Sequence, residues 1–347
     1  MAQMPALTPP FDRWFPSAPI DGTYGYDLDA LLAVAPVAPP EGFAELWRSW
    51  HADALAVPTR PALRRLGRVG AHLVSELEFT TVDGLRLRGW VALPAAGSPR
   101  VGIVHGHGYG GRDAPDFDRV PDDAAVVFPV ARGLGALNTG VGAPSVKNEH
   151  VLHGLESVDA YVLGRCAVDL WSAASALVEI AGPLPLYYVG ESFGGGLGAL
   201  ALPWDDRFVG ATLIVPSFGN YDLRLQLRCE GSGEAVRRYV RGHPEAREVL
   251  RSFDASSAAG FTRVPVRVEC ARWDAVVPPP GQFAVANAVA RAAERSDGAE
   301  LELEVLPAGH AEYPGLDEVR ARSAAATRRH ITRALRGQAT RSAGDDL

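Results

Sequence analysis

The stretch from Leu184 to Gly196, LPLYYVGESFGGG, restricts what this chain can fold into more than any other. Its apolar, aromatic-rich half reads as a buried strand; it runs into Gly190-Glu191-Ser192-Phe193-Gly194 and then into Leu197 to Leu202, which reads as the start of a helix. A serine lifted off a strand end on so sharp a turn sits at a strained backbone angle. The strand and helix beside it approach so closely that side chains at Gly190 and Gly194 would collide. Ser192 then points its hydroxyl into open space above a sheet, with a helix N-terminus beneath it to favour developing negative charge. The competing reading is a glycine-rich strand-to-helix turn that happens to contain a serine, and the rest of the chain has to decide.

The elements around this turn alternate. Residues 1–40 are rich in proline and small residues and read as an extended arm that packs over its own domain or a neighbour, with a short helix at Asp27 to Val34. Glu41 to Ala54 places Phe43, Leu46, Trp47 and Trp50 at helical spacing, a core-facing aromatic stripe. Leu73 to Thr81 and Leu85 to Leu93 form a hairpin turned by Asp83-Gly84. Buried strands follow at Val101 to His105 and Ala124 to Val130, then a surface loop from Gly140 to Gly154 and a long helix from Ser157 to Ile180. Beyond Ser192 come a strand at Ala211 to Val215, a helix-rich insertion at 220–259 and a strand at Val264 to Cys270. A helix at Gly281 to Arg295, a strand at Leu301 to Leu306 and a helix at Leu316 to Leu335 complete the domain, 41–336, before a polar tail, 337–347. Strands and helices alternating after a leading hairpin predict an α/β fold with a mostly parallel central sheet and helices on both faces.

Whole-chain properties remove several function classes. The formal charge of -7 includes no basic block, which argues against nucleic acid and anionic membrane as partners. The 3 cysteines, Cys166, Cys229 and Cys270, are far apart, so neither a disulfide framework nor a zinc site is expected. The first residues lack a basic region followed by an apolar core, and no apolar stretch is long enough to span a bilayer; the expectation is a cytoplasmic protein.

A serine hydroxyl needs a base to take its proton, and the base needs an orienting carboxylate. In α/β hydrolases these follow in the order serine, acid, histidine, each just after a strand. His310, in Pro307-Ala308-Gly309-His310-Ala311, meets that requirement, whereas His330 lies inside a charged helix. Asp274 follows the strand ending at Cys270 and precedes a helix; Asp254 in the insertion and Asp297 at a helix end fit less well. Backbone N–H groups of Phe193, after the serine, and of Tyr109, in the glycine-rich loop after Val101 to His105, occupy the places of oxyanion donors. His105 and His107 read as structural hydrogen-bonders of that loop.

With these residues in hand, the chain resembles the acetyl xylan esterase and cephalosporin-C deacetylase family of α/β hydrolases, from Phe43-Ala44-Glu45-Leu46-Trp47 to about Leu335. The matching pieces are His107-Gly108-Tyr109-Gly110-Gly111-Arg112, Arg132-Gly133, Gly190 to Gly196 and the Trp273-Asp274 to Pro279 turn with Phe283-Ala284 after it. The resemblance implies deacetylation of small acetylated sugars or related short-acyl esters without metal or cofactor, and assembly into a homo-oligomer, often a hexamer. Where the family has glutamine after Arg-Gly and after the nucleophile, this chain has Leu134 and Phe193; where it has glutamate after the histidine, the chain has Ala311, with Glu312 one place late. Leu134 is therefore a candidate pocket residue, and with Phe193 it would favour a less polar ester. An acyltransferase with the same acyl-enzyme, or a binding protein without turnover, are the alternatives.

Overall fold

A computed structural model describes the backbone of residues 11–345 and the side chains of residues 11–338. Among the described residues nine strands form one sheet: β1 (Ala62–Val69), β2 (His72–Thr80), β3 (Arg86–Pro94), β4 (Val101–His105), β5 (Ala124–Pro129), β6 (Leu186–Glu191), β7 (Phe208–Ile214), β8 (Pro265–Trp273) and β9 (Glu300–Ala308), in the order β1-β2-β3-β5-β4-β6-β7-β8-β9. β1, β2 and β3 pair antiparallel and β3 meets β5 antiparallel, while β5 through β9 form a parallel block. The strand β1 was not anticipated. Its sequence, ALRRLGRV, has no clean alternation, it is exposed almost throughout, and a register shift interrupts it between Arg65 and Gly67. Arginines and an irregularity are what keep an outer strand from pairing with another chain.

Alternate residues of the central strands feed two cores. Val104, Val127, Tyr188 and Leu213 face the helices Val162–Ala181, Phe193–Ala201 and Pro279–Ala293, and Ile103, Val126, Tyr187 and Val189 face the helix Leu316–Asp345 with Ile331 and Ala334. Helices therefore cover both faces, as parallel strands with two apolar sides demand. The aromatic stripe of the helix Phe43–Ala56 is core: Phe43 and Trp47 are buried, and the Trp47 indole N–H donates to Ser252 O at 3.1 Å.

Three expectations of the sequence are corrected. The loop expected to lie on the surface at Gly140 to Gly154 carries a short helix, Lys147–His150, and buries His150, Val151 and, just beyond, Leu155. The long helix starts at Val162 rather than Ser157, after a run of turns. The final helix continues to Asp345 instead of ending at Leu335, because the polar residues after 336 contain neither proline nor a glycine at a helix-ending φ. Of the arm, the first ten residues lie outside the described residues; the rest packs on its own domain. Phe15 stacks on Trp273 at 3.9 Å and Trp14 on Tyr313 at 5.4 Å, and Gly22 O accepts the Asp274 N–H at 2.9 Å. Among the described residues no helix is long and apolar enough to cross a membrane.

Candidate active site

The strand order places the site. The chain leaves β4 toward β5 and leaves β6 toward β7, on opposite sides, so a crevice opens between the carboxyl ends of β4 and β6. Ser192 follows β6 at φ 55° and ψ -111°, a conformation costly for a residue with a Cβ. The sheet and helix hold it there: Ser192 N–H donates to Ile214 O at 2.8 Å, and Ser192 O accepts from the N–H groups of Gly196 and Ser217 at 3.0 Å each. A Cβ at Gly190 would lie 2.6 Å from the Gly194 carbonyl carbon, and one at Gly194 would lie 2.9 Å from His107 O. Glycine is thus required on both sides of the serine for close approach.

The structure brings Ser192, His310 and Asp274 into one hydrogen-bonded line. Ser192 Oγ is 2.8 Å from His310 Nε2, and His310 Nδ1 is 2.7 Å from Asp274 Oδ2. His310 stands on the turn after β9 at φ 48°, next to Gly309, where a Cβ would collide with the Asp274 carboxylate. Burial is the largest influence on the His310 imidazole and disfavours its charged form. The charge and hydrogen bond of Asp274, with the charge of Glu191 added, outweigh it, so the net shift is upward from 6.5. Asp274 is fully buried. Its Oδ1 accepts from Val276 and Val277 N–H at 2.9 Å each, and its Oδ2 also accepts from the Gln282 amide at 3.0 Å.

Gln282 escaped the sequence reading. It is fully buried at the start of the helix Pro279–Ala293, donates to Val277 O at 2.7 Å as well as to Asp274, and accepts the Ala271 N–H at 2.8 Å. One amide side chain therefore fastens the end of β8, the turn and the carboxylate together. The available signal was an uncharged polar residue within the apolar run FAVANAVA and its approach.

The Phe193 and Tyr109 N–H groups have no acceptor among the described residues, as donors awaiting an oxyanion require. The loop that carries Tyr109 is pinned from below. Arg112 donates to His105 O at 2.5 Å and Gly106 O at 3.1 Å; Gly194 N–H donates to His107 O at 3.0 Å. His107 Nε2 accepts from Ala131 N–H at 2.9 Å and its Nδ1–H donates to Gly108 O at 2.7 Å, and burial pushes its pKa down to about 4. It is a neutral structural histidine. The Tyr109 hydroxyl donates to His150 Nδ1 at 2.7 Å, while His150 Nε2–H donates to Arg132 O at 2.9 Å. Arg132 in turn grips Asp169 with two bonds at 2.7 and 2.8 Å and Asp83 of the hairpin turn at 2.7 Å. The buried His150 was hidden in what read as surface loop.

Phe193 and Leu134 differ from the expectation that they border the pocket. The Phe193 ring is 1% exposed, packed against Tyr109 at 4.5 Å and near His107, His150 and Phe218, and it lines an internal cavity of about 20 Å³ with Tyr188 and Leu197. Leu134 is 3% exposed and belongs to the same core. Of the residues set aside, Asp254 caps the helix Ala255–Ala259 and accepts from Asn220 and Tyr221 N–H. His330 lies on the opposite face of the sheet, 2.6 Å from the Tyr187 hydroxyl.

A mixed sheet with helices on both faces, an antiparallel leading hairpin and a serine on a glycine-flanked turn at its switch point define an α/β-hydrolase-fold enzyme. The family model described as acetyl xylan esterase (AXE1) matches residues 28–307, and the chain belongs to that family of esterases, the carboxylic-ester hydrolases. Among solved structures, it is similar to acetyl xylan esterase 1 from Thermoanaerobacterium sp. JW/SL YS485, with a TM-score of 0.72 at 20% identity over 87% of this chain and 99% of that one. The acetyl xylan esterase from Paenibacillus sp. R4 matches with a TM-score of 0.73 at 18% identity, over the same shares. The acylaminoacyl peptidase of Pyrococcus horikoshii shares the fold at a TM-score of 0.57 and 13% identity, over 81% of this chain and 42% of that one.

Proposed function

We propose that the chain is a serine esterase that removes acetyl or similarly short acyl groups from small molecules through an acyl-enzyme. The observation that carries this reading is the line from Ser192 Oγ to His310 Nε2, 2.8 Å, and from His310 Nδ1 to Asp274 Oδ2, 2.7 Å. In this mechanism His310 takes the Ser192 proton as Oγ attacks the ester carbonyl carbon. The carbonyl oxygen becomes an oxyanion and accepts from the Phe193 and Tyr109 N–H groups. Collapse breaks the bond to the alcohol oxygen, which leaves with the proton held by His310. Water then gives a proton to His310 and its oxygen to the acyl carbon; the bond from that carbon to Ser192 Oγ breaks as His310 returns the proton to Oγ, releasing the acid and restoring the serine.

Asp274 orients the imidazole and stabilises the imidazolium. The short acyl group is inferred from the acetyl xylan esterases that share the family and fold. A series of p-nitrophenyl esters from acetate to octanoate tests it, with kcat/KM expected to be highest at acetate and to fall with chain length. A maximum at octanoate contradicts the short-acyl reading. Transfer of the acyl group to an added alcohol in preference to water makes the enzyme a transferase instead.

A further inference from the structure

Arg224 is 8% exposed, yet its guanidinium makes no hydrogen bond or ion pair with any described residue. It ends the short helix Tyr221–Arg224 that opens the insertion. Its place is set on two sides. On one, the guanidinium lies against Gly233, where a Cβ would collide with Nη2, and beside Cys229, and this loop is tied to the Asp274 turn by the Glu230 N–H donating to Ala275 O at 2.7 Å. On the other, its charge reaches His310, where it opposes protonation, and the phenols of Tyr24, Tyr161 and Tyr221. The guanidinium thus belongs to the insertion, within electrostatic reach of the imidazole that faces Ser192.

Its neighbours among the described residues offer it no counter-charge. Asp274 is filled by Val276, Val277, Gln282 and His310. Asp254, whose carboxylate binds the N–H groups that start the same helix, is filled by Asn220, Tyr221 and Ser256. Glu234 pairs with Arg237 and Arg238, and Glu230 is exposed without an ion pair among the described residues. A largely buried guanidinium with no acceptor among the described residues is open to an anion that a ligand brings. The planar fork of arginine matches a carboxylate with two parallel bonds.

We infer that Arg224 is the specificity-determining group of the substrate site, and that the ester hydrolysed here carries a carboxylate on its alcohol portion, held by Arg224 while the acyl carbon meets Ser192. This rests on the ester-hydrolase reading above. A neutral acetylated sugar would leave the guanidinium bare; an acetylated hydroxy acid or uronic-acid derivative would fill it.

The test compares 3- and 4-acetoxybenzoate with their methyl esters, the kcat/KM of each divided by its rate constant with hydroxide to remove leaving-group differences. The ratio of carboxylate to neutral substrate is expected to fall at least tenfold in Arg224→Gln for one or both isomers, with part of it kept in Arg224→Lys, which retains charge without the fork. A ratio that stays within threefold of wild type for both isomers overturns the inference. Benzoate binding by calorimetry measures the anion site without turnover: binding at least tenfold weaker in Arg224→Gln supports it, and equal binding overturns it. Should Arg224→Gln fail to fold, Arg224→Lys carries both comparisons, because loss of the two-bond geometry alone has to lower the ratio. Wild-type protein that cleaves neither methyl ester while binding benzoate through Arg224 counts against the esterase reading and leaves the anion site standing.

Discussion

Gln282→Met exchanges an amide for an apolar chain of similar length at a fully buried position, and its consequences follow from three bonds. The Ala271 N–H and the Val277 carbonyl each lose their partner in a region closed to water, at about 1 to 3 kcal/mol apiece. Apolar packing of the methionine offsets part of this, so a loss of about 2 to 4 kcal/mol in unfolding free energy is expected from urea denaturation. Asp274 loses one of four donors. A hydrogen bond to a charged group contributes about 1.5 to 3 kcal/mol; carried fully into the transition state that is about tenfold to a hundredfold in kcat/KM. The direction of the pH effect is also fixed: a carboxylate with fewer donors holds the His310 proton more tightly, so the acid limb of the rate profile moves to higher pH. A stability loss below about 1 kcal/mol together with an unmoved limb refutes the role given to Gln282.

Four further outcomes follow from the same geometry. In the proposed mechanism only neutral His310 accepts the serine proton, and its pKa is raised from 6.5, so the acid limb of kcat/KM against pH is expected above 6.5, and a midpoint below that value contradicts the Asp274 contact. Asp274→Asn is expected to lower kcat by about ten-thousandfold, as loss of the orienting carboxylate does in serine proteases, while Asp254→Asn lowers stability and leaves the pH profile in place; the reverse pattern means the carboxylate is Asp254. Phe193→Ala removes a ring that is 1% exposed, so thermal or urea unfolding is expected to show a loss of about 3 to 5 kcal/mol, and an unchanged midpoint contradicts the core assignment.

The fold and the centre of the candidate site were legible because each is written locally. The strand, the glycine-flanked serine and the following helix are contiguous, and Asp274 and His310 each sit just after an apolar strand, so order along the chain stood in for distance. What escaped depends on partners far away in sequence. Gln282 joins three points of one turn only after β8 and its helix have packed; His150 is buried because Arg132 and Tyr109 reach it from other loops; Arg224 looks like one more surface arginine until Gly233 and Cys229 close over it. β1 was missed for the opposite reason, since its residues obey the demands of an exposed edge and not of a core. Phe193 and Leu134 show where a departure from a family pattern misleads: apolar residues near the serine suggested a greasier pocket, but both turned inward.

The most direct test of the account is which residue becomes covalently modified. Incubated with diethyl p-nitrophenyl phosphate, whose phosphorus resembles an ester carbonyl under attack and whose phosphoryl group is not readily hydrolysed off the serine, the wild-type protein is expected to gain one diethylphosphoryl group by intact-mass spectrometry. The tryptic peptide bearing it is expected to map it to Ser192, esterase activity should fall in proportion, and Ser192→Ala protein should neither take up the label nor cleave an aryl acetate. Stoichiometric labelling elsewhere with loss of activity, or an Ser192→Ala protein that keeps more than a few per cent of wild-type turnover, contradicts the assignment of Ser192 as the nucleophile.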